Sequence, residues 1–168
     1  MEIKRLVPAD AEAYRALMLR AFREEPDAFT SSLAEREKQP LSWWQETLST
    51  EDNTSTVVLG AEFDTALVGV GGIKFSEREK TNHKAGVFGM YVAEEARGRK
   101  LATHLLQGLI DIARQNSSTE VLQLTVTDGN KAATQLYLQN DFIQFGAEPF
   151  AVRTADGYVS KLHLWRRV

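Results

Sequence analysis

The sequence contains no cysteine. Disulfides, thiolate catalysis and cysteine-ligated metal sites are therefore excluded, and the composition fits a reducing, cytoplasmic setting. No apolar run approaches the roughly 20 residues that a membrane span needs. The segment Met1–Pro8 alternates in character and has no apolar core, which predicts no export signal. An excess of positive charge is also missing. Twenty Lys and Arg stand against 23 Asp and Glu, for a net charge of −3, so the footprint of a nucleic-acid binder is absent. Any anion must be held by a local concentration of cations. There is no internal repeat, low-complexity tract or Gly/Ser linker, and 168 residues read as a single domain, 1–168. A chain of this size buries roughly 70% of its unfolded surface without a disulfide or metal staple.

Periodicity supplies the elements. Ile3–Leu6 reads as a short strand ended by Pro8. Asp10 is the expected N-cap of an amphipathic helix over 10–24, with Tyr14, Leu17, Met18, Ala21 and Phe22 on one face. Pro26 stops it, Leu33–Gln39 is charged, and Pro40 precedes a short helix, Leu41–Leu48, carrying Trp43 and Trp44. The period then changes. Thr56–Phe63 and Ala66–Phe75 predict a hairpin about a tight Asp64-Thr65 turn, and Lys84–Val92 predicts the next strand. Leu101, Ala102, Leu105, Leu106, Leu109, Ile112 and Ala113 form one stripe of a long helix, opposite Thr103, His104, Gln107, Asp111 and Arg114. Val121–Thr127 is a strand, Asn130–Asn140 a helix, and Phe142–Phe150 and Tyr158–Arg166 are strands about a Gly157 turn. The 56–92 region implies antiparallel pairing. The strand–helix–strand units at 84–126 and 121–150 imply parallel pairing. The expected fold is mixed α/β (α+β), a central, mostly antiparallel sheet with parallel pairing at its middle strands, flanked by helices.

Arg97-Gly98-Arg99-Lys100 stands where a strand hands over to the long helix. Three cations there oppose the helix dipole, at about 0.3–1 kcal/mol each when uncompensated. A bound anion would remove the conflict, because free N–H groups, the dipole and the cations would all act on it. The alternative is a solvated basic turn partly neutralised by Glu94 and Glu95. Neither phosphate-binding glycine motif is present: no Gly-x-x-x-x-Gly-Lys-Ser/Thr occurs, and Gly69-Val70-Gly71-Gly72-Ile73-Lys74 fails the Gly-x-Gly-x-x-Gly pattern at its last position. That glycine cluster reads as a strand bend or close packing.

With Met90-Tyr91-Val92 before it and Leu101-Ala102 after it, this turn resembles the Arg/Gln-x-x-Gly-x-Gly/Ala motif of the GNAT superfamily of N-acetyltransferases. Lys100 stands where that family usually has Gly. A second motif follows in order: Asn130, Ala133, Leu136, Tyr137 and Phe142 resemble Asn…Ala…Leu-Tyr…Gly-Phe, with Asp141 in place of Gly and Asn140 expected to take the left-handed cap. The resemblance covers roughly 56–166. It implies that backbone groups of Met90, Tyr91 and Val92 hold the pantetheine arm of acetyl-CoA. It further implies that the turn Arg97, Gly98, Arg99, Lys100, Leu101, Ala102 and Thr103 holds the pyrophosphate, and that Asn130 and Ala133 contact the cosubstrate.

Tyr137 is the candidate general acid, able to protonate the departing thiolate; its other reading is a core tyrosine. No acid lies on the strand before the turn, so the general base is open among His83, water, a backbone carbonyl and Glu24, Glu25, Glu35 or Glu37. Neither His104 nor His163 suits a triad or a metal set, and no metal is expected. Trp43 and Trp44 are candidates for an acceptor pocket, or one buried anchor and one half-exposed lid. The expected function is direct transfer of acetyl from acetyl-CoA to a primary amine (a small amine, amino acid or peptide α-amine), since no cysteine is available for an acetyl-enzyme. The alternatives are a non-catalytic acyl-CoA-binding regulatory module on the same fold and an unrelated phosphate-binding protein. No nucleic-acid or membrane partner is expected, and a homodimer is compatible with the sequence.

Overall fold

The computed structural model describes residues 2–52 and 54–168. Seven strands form one sheet in the order β1-β2-β3-β4-β5-β7-β6. They are β1 (Glu2–Arg5), β2 (Thr56–Phe63), β3 (Ala66–Phe75), β4 (Lys84–Val92), β5 (Val121–Thr127), β6 (Ile143–Thr154) and β7 (Gly157–Arg167). The helices are α1 (Ala11–Glu24), α2 (Leu33–Glu37), α3 (Leu41–Thr47), α4 (Leu101–Gln115) and α5 (Lys131–Leu138). All strand pairs are antiparallel except β4–β5, which is parallel. This is the mixed, mostly antiparallel sheet that the patterning predicts.

Local chemistry explains most boundaries. Asp64 and Thr65 both have positive φ, 48° and 67°, the geometry a two-residue hairpin needs to match strand twist. The stripe of α4 buries Leu101, Leu105, Leu106, Leu109 and Ala113, joined by Ile110, while Ile112 is only partly covered. α4 packs on the face of β3 that presents Gly69 and Gly71. A β-carbon at Gly71 would strike Met90, and one at Gly72 would strike the Phe88 ring, so these glycines let β4 side chains lie flat on β3.

Four expectations need correction. β6 runs in the same direction as β5 but does not pair with it; β7 lies between them, because the β6–β7 hairpin folds its second strand back into the gap. Asp10 occupies the N-cap position of α1 without capping it: its carboxylate turns back to Val7 N–H at 2.9 Å and Lys4 Nζ at 3.2 Å. The charged stretch after Ser32 contains the short helix α2, opened by a capping box in which Glu35 N–H donates to Ser32 Oγ and Ser32 N–H donates to Glu35. At the end of α5 it is Asp141, φ 64°, that takes the left-handed conformation. Phe142 N–H then reaches Tyr137 O at 3.1 Å and Asp141 N–H reaches Leu138 O at 3.3 Å, the paired bonds of a Schellman closure.

Candidate active site

β4 and β5 pair only over Lys84–Gly86 and Val121–Gln123. Beyond that the two strands part. Register explains the departure. Val70 pairs with Tyr91 and Gly72 with Phe88, so Gly89 and Met90 together oppose Gly71. This extra residue is a β-bulge, and Gly89 supplies its left-handed φ of 63°. A bulge bends its strand and sharpens the twist. Past it, the β5-facing backbone edge of β4 has no strand opposite. The result is a cleft of about 790 Å³ between β4, β5, the start of α4, one face of α5 and the segment after α1.

The first turn of α4 forms one end of the cleft. Its first backbone bond is His104 N–H to Lys100 O at 3.0 Å, so the N–H groups of Leu101, Ala102 and Thr103 have no partner within the helix. The side chain of the N-cap residue, Lys100, does not cap them. Gly98, Lys100, Leu101 and Ala102 line the cleft, as do Met90, Tyr91, Val92 and Arg97. Arg99 and Thr103 do not. The guanidinium of Arg99 sits 4.3 Å from the Phe63 ring centroid, a cation–π contact that takes its charge to the far side of the turn. Arg97 donates through Nε to Val92 O at 3.0 Å and through Nη2 to Glu25. The three cations therefore do not converge: two have protein partners, and Lys100 faces the cleft. Lys100 has φ 59° and ψ 18°, the left-handed conformation that explains why glycine suits this position.

Tyr91 lines the cleft but its hydroxyl is committed elsewhere, donating to Glu24 Oε2 at 2.5 Å. Burial, then that bond, pushes the phenol above the ordinary tyrosine range. Arg20 completes the cluster, reaching Glu24 at 2.6 Å and both oxygens of Glu95 at 2.7 and 2.8 Å. The C-terminus of α1 is thereby fastened to the end of β4 and to the turn that precedes α4.

The opposite wall is α5. Asn130 is its N-cap, accepting from Ala133 N–H at 3.2 Å, and Asn130, Ala133, Leu136 and Tyr137 line the cleft. Tyr137 is 6% exposed. Its ring packs edge-on against Phe142 at 5.8 Å between centroids, and its hydroxyl makes no side-chain or backbone hydrogen bond among the described residues. Burial pushes the phenol up to about 12, which keeps it protonated at neutral pH. A protonated hydroxyl without a protein partner, on a residue that lines the cleft, is suited to donating a proton into it.

The remaining candidates separate. Among Glu24, Glu25, Glu35 and Glu37, only Glu25 lines the cleft; none of His83, His104 and His163 does. Trp44 is buried and holds Tyr14 edge-on at 5.6 Å. Trp43 is half-buried under Arg36, and neither tryptophan reaches the cleft. Lys161 on β7 is nearly buried, donating to Ala28 O at 3.3 Å and Thr127 Oγ1 at 2.9 Å, while Thr127 donates to Asp27 O at 2.7 Å. These bonds hold the 26–28 turn, and with it the cleft-lining Ala28 and Phe29, against β5.

The cleft thus presents free N–H groups and positive charge at the start of α4, an unpaired backbone edge on β4 and a protonated hydroxyl on α5. Residues 16–142 match the acetyltransferase (GNAT) family. The chain belongs to this family, whose members use acetyl-CoA. No curated protein matches the sequence. Solved structures share the fold over almost the whole chain. A GNAT-family acetyltransferase from Streptococcus pneumoniae aligns at TM-score 0.88 and 20% identity, covering 99% of each chain. The ribosomal-protein-alanine N-acetyltransferase from Brucella melitensis aligns at 0.80 and 24%, covering 100% of each. The yncA protein from Salmonella typhimurium, solved with its cofactor acetyl-CoA, aligns at 0.80 and 18%, covering 99% of this chain and 93% of the other.

Proposed function

We propose that this protein, acting as one domain over residues 1–168, transfers the acetyl group of acetyl-CoA directly to a primary amine in the cleft between β4 and β5. The observation that carries the reading is the pairing of two unsatisfied walls. Leu101 and Ala102 offer N–H groups unpaired within the helix at one end of the cleft, and Tyr137 offers a protonated hydroxyl from α5. Acetyl-CoA supplies the activated thioester. The α4 turn, with Lys100 and Arg97, holds its phosphates; backbone groups of Met90, Tyr91 and Val92 hold its arm; Asn130 and Ala133 contact it from α5; and Tyr137 donates the proton that the thiolate needs on departure. Arg99 and Thr103 contribute through the turn's charge and backbone rather than as cleft-lining side chains.

The acceptor class follows from proton availability. A lysine-like amine is about 0.1% neutral at pH 7, whereas an α-amine near pKa 8 is roughly 10% neutral. Among the described residues the cleft is lined by a single carboxylate and no histidine, few groups to take up a proton, which suits the less basic acceptor, so a small amine, amino acid or peptide α-amine is the substrate class. We also assign the protein to the cytoplasm, and to a homodimer through the free edge of β6, where Ile143, Phe145 and Phe150 are exposed.

The test has two arms. Acetyl-CoA at about 100 times its Kd should stabilise the fold by roughly 2.7 kcal/mol, and ATP should not. A panel of primary amines should then release free CoA thiol. Stabilisation without turnover on any amine would favour a non-catalytic acyl-CoA-binding module; no stabilisation by acetyl-CoA would remove both readings.

A further inference from the structure

We propose that Glu25 is the carboxylate that recognises the acceptor amine, and that cosubstrate binding uncovers it by taking Arg97 away. The inference rests on the acetyl-CoA-dependent reading above. Glu25 is the only acidic side chain among the described residues that line the cleft. Its neighbour Glu24 is not a competitor, because Tyr91 and Arg20 already occupy it.

The backbone holds Glu25 in place. Its N–H closes α1 on Ala21 O at 2.9 Å, its own φ and ψ of −131° and 60° leave the helix, and Pro26 prevents α1 from continuing. Immediately beyond, Thr127 and Lys161 hold the carbonyls of Asp27 and Ala28. The Glu25 side chain thus enters the cleft from a segment anchored on both sides.

Its partner is divided between two tasks. Arg97 Nε is fixed on Val92 O, while Nη2 faces the Glu25 carboxylate. Only the Nη2 contact has to change when a more highly charged anion arrives at the α4 turn. Phosphate oxygens accept from guanidinium at least as well as a carboxylate does, and they bring more charge. Once Arg97 turns to them, Glu25 is left in the cleft as a negative charge without a cation. A primary amine, with several N–H donors and a positive or partly positive nitrogen, is the group that such a charge attracts. Acetyl-CoA should therefore raise the affinity for the amine, and by linkage the amine should raise the affinity for acetyl-CoA.

The test is Glu25→Gln, measured for acetyl-CoA affinity and for kinetics with the best amine of the panel. Removing the competing charge should tighten acetyl-CoA binding about 3-fold or more, while the amine KM rises at least 10-fold and kcat changes less. Glu25→Asp, which keeps the charge on a shorter stem, should recover part of the amine KM. If Glu25 merely braces the α4 turn, Glu25→Gln will weaken acetyl-CoA binding; that result, or unchanged values for both ligands, overturns the proposal. The acetyl-CoA arm decides even without an acceptor, because weaker or unchanged binding in Glu25→Gln is sufficient to reject it. Failure of the wild-type protein to bind acetyl-CoA would instead reject the function on which the proposal rests.

Discussion

Lys161 on β7 donates to Thr127 Oγ1 on β5 at 2.9 Å, and the Thr127 hydroxyl donates in turn to Asp27 O at 2.7 Å. One buried amine thus connects two strands of the sheet to the turn that walls the cleft. Burial lowers the lysine pKa from its ordinary value, with Glu148 partly opposing the shift.

Lys161→Met keeps most of the apolar stem but leaves Ala28 O without its donor. The expected loss is about 1–2 kcal/mol, a lost charged hydrogen bond partly offset by relief of desolvation. The sign of the pH effect is also defined. The unfolded chain holds this proton more tightly than the folded one, so wild-type stability rises as pH climbs through the folded pKa toward 10.5. Urea melts between pH 7 and 10.5 should show this rise in the wild type and not in the variant. An unchanged acceptor KM in Lys161→Met would remove its role in shaping the cleft.

Lys100→Gly tests the strain at the start of α4. A left-handed L-residue costs roughly 1–2 kcal/mol, and glycine returns roughly 0.5–1 kcal/mol of that through the greater freedom of the unfolded chain. The ligand-free protein should gain about 0.5–1 kcal/mol, read as a higher Tm. Acetyl-CoA should bind somewhat more weakly, because a cleft-facing cation is lost. A lower Tm would mean that the Lys100 side chain contributes more than its backbone strain costs.

Arg20→Gln tests the cluster that fastens α1 to β4. Glu95 is held down to about 2, chiefly by Arg20; Glu24 is lowered by the Tyr91 hydroxyl first and by Arg20 second. Both folded carboxyls lie below the unfolded value of about 4.3. The stability they bring is therefore present above that value and lost as pH falls toward about 2. The difference between wild type and Arg20→Gln in urea melts should be largest at neutral pH and should shrink across that window. A constant difference would assign the effect of Arg20 to packing.

Much of this architecture was legible in local pattern. The hairpin about Asp64-Thr65, the bounds of β4 and β5 and the buried face of α1 follow from alternation, turn chemistry and helical spacing. What was missed is of two kinds. Some signals were present but short: Ser32 and Glu35 spell a capping box, yet a five-residue helix has no stripe to announce it, and Gly89 inside a strand marks the bulge that opens the cleft. Other features depend on pairings far apart in the chain. The insertion of β7 between β5 and β6, the Arg97–Glu25 contact, the Arg99–Phe63 contact and the burial of Lys161 have no local signature, because each joins segments that only the folded sheet brings together.

Tyr137→Phe should leave stability nearly unchanged, because the hydroxyl has no protein hydrogen bond to lose and the ring keeps its contact with Phe142. Acetyl-CoA affinity should stay within a few-fold. The rate of transfer should fall by roughly 10²–10⁴-fold, the usual contribution of a positioned acid. Single-turnover rates are the appropriate reading, since product release can mask chemistry in kcat. A near-normal rate would make Tyr137 a packing residue.

The most direct measurement of the central claim is a single turnover with isotope-labelled acetyl-CoA, excess protein and one primary amine from the panel. Free thiol, acetylated amine and acetylated protein are followed together. Direct transfer predicts one acetylated amine for every thiol released, with no labelled protein at any time. Thiol release without amide would make the protein a thioesterase. A labelled protein that forms and decays at the rate of amide formation would contradict direct attack, and no thiol release with any amine would contradict catalysis altogether.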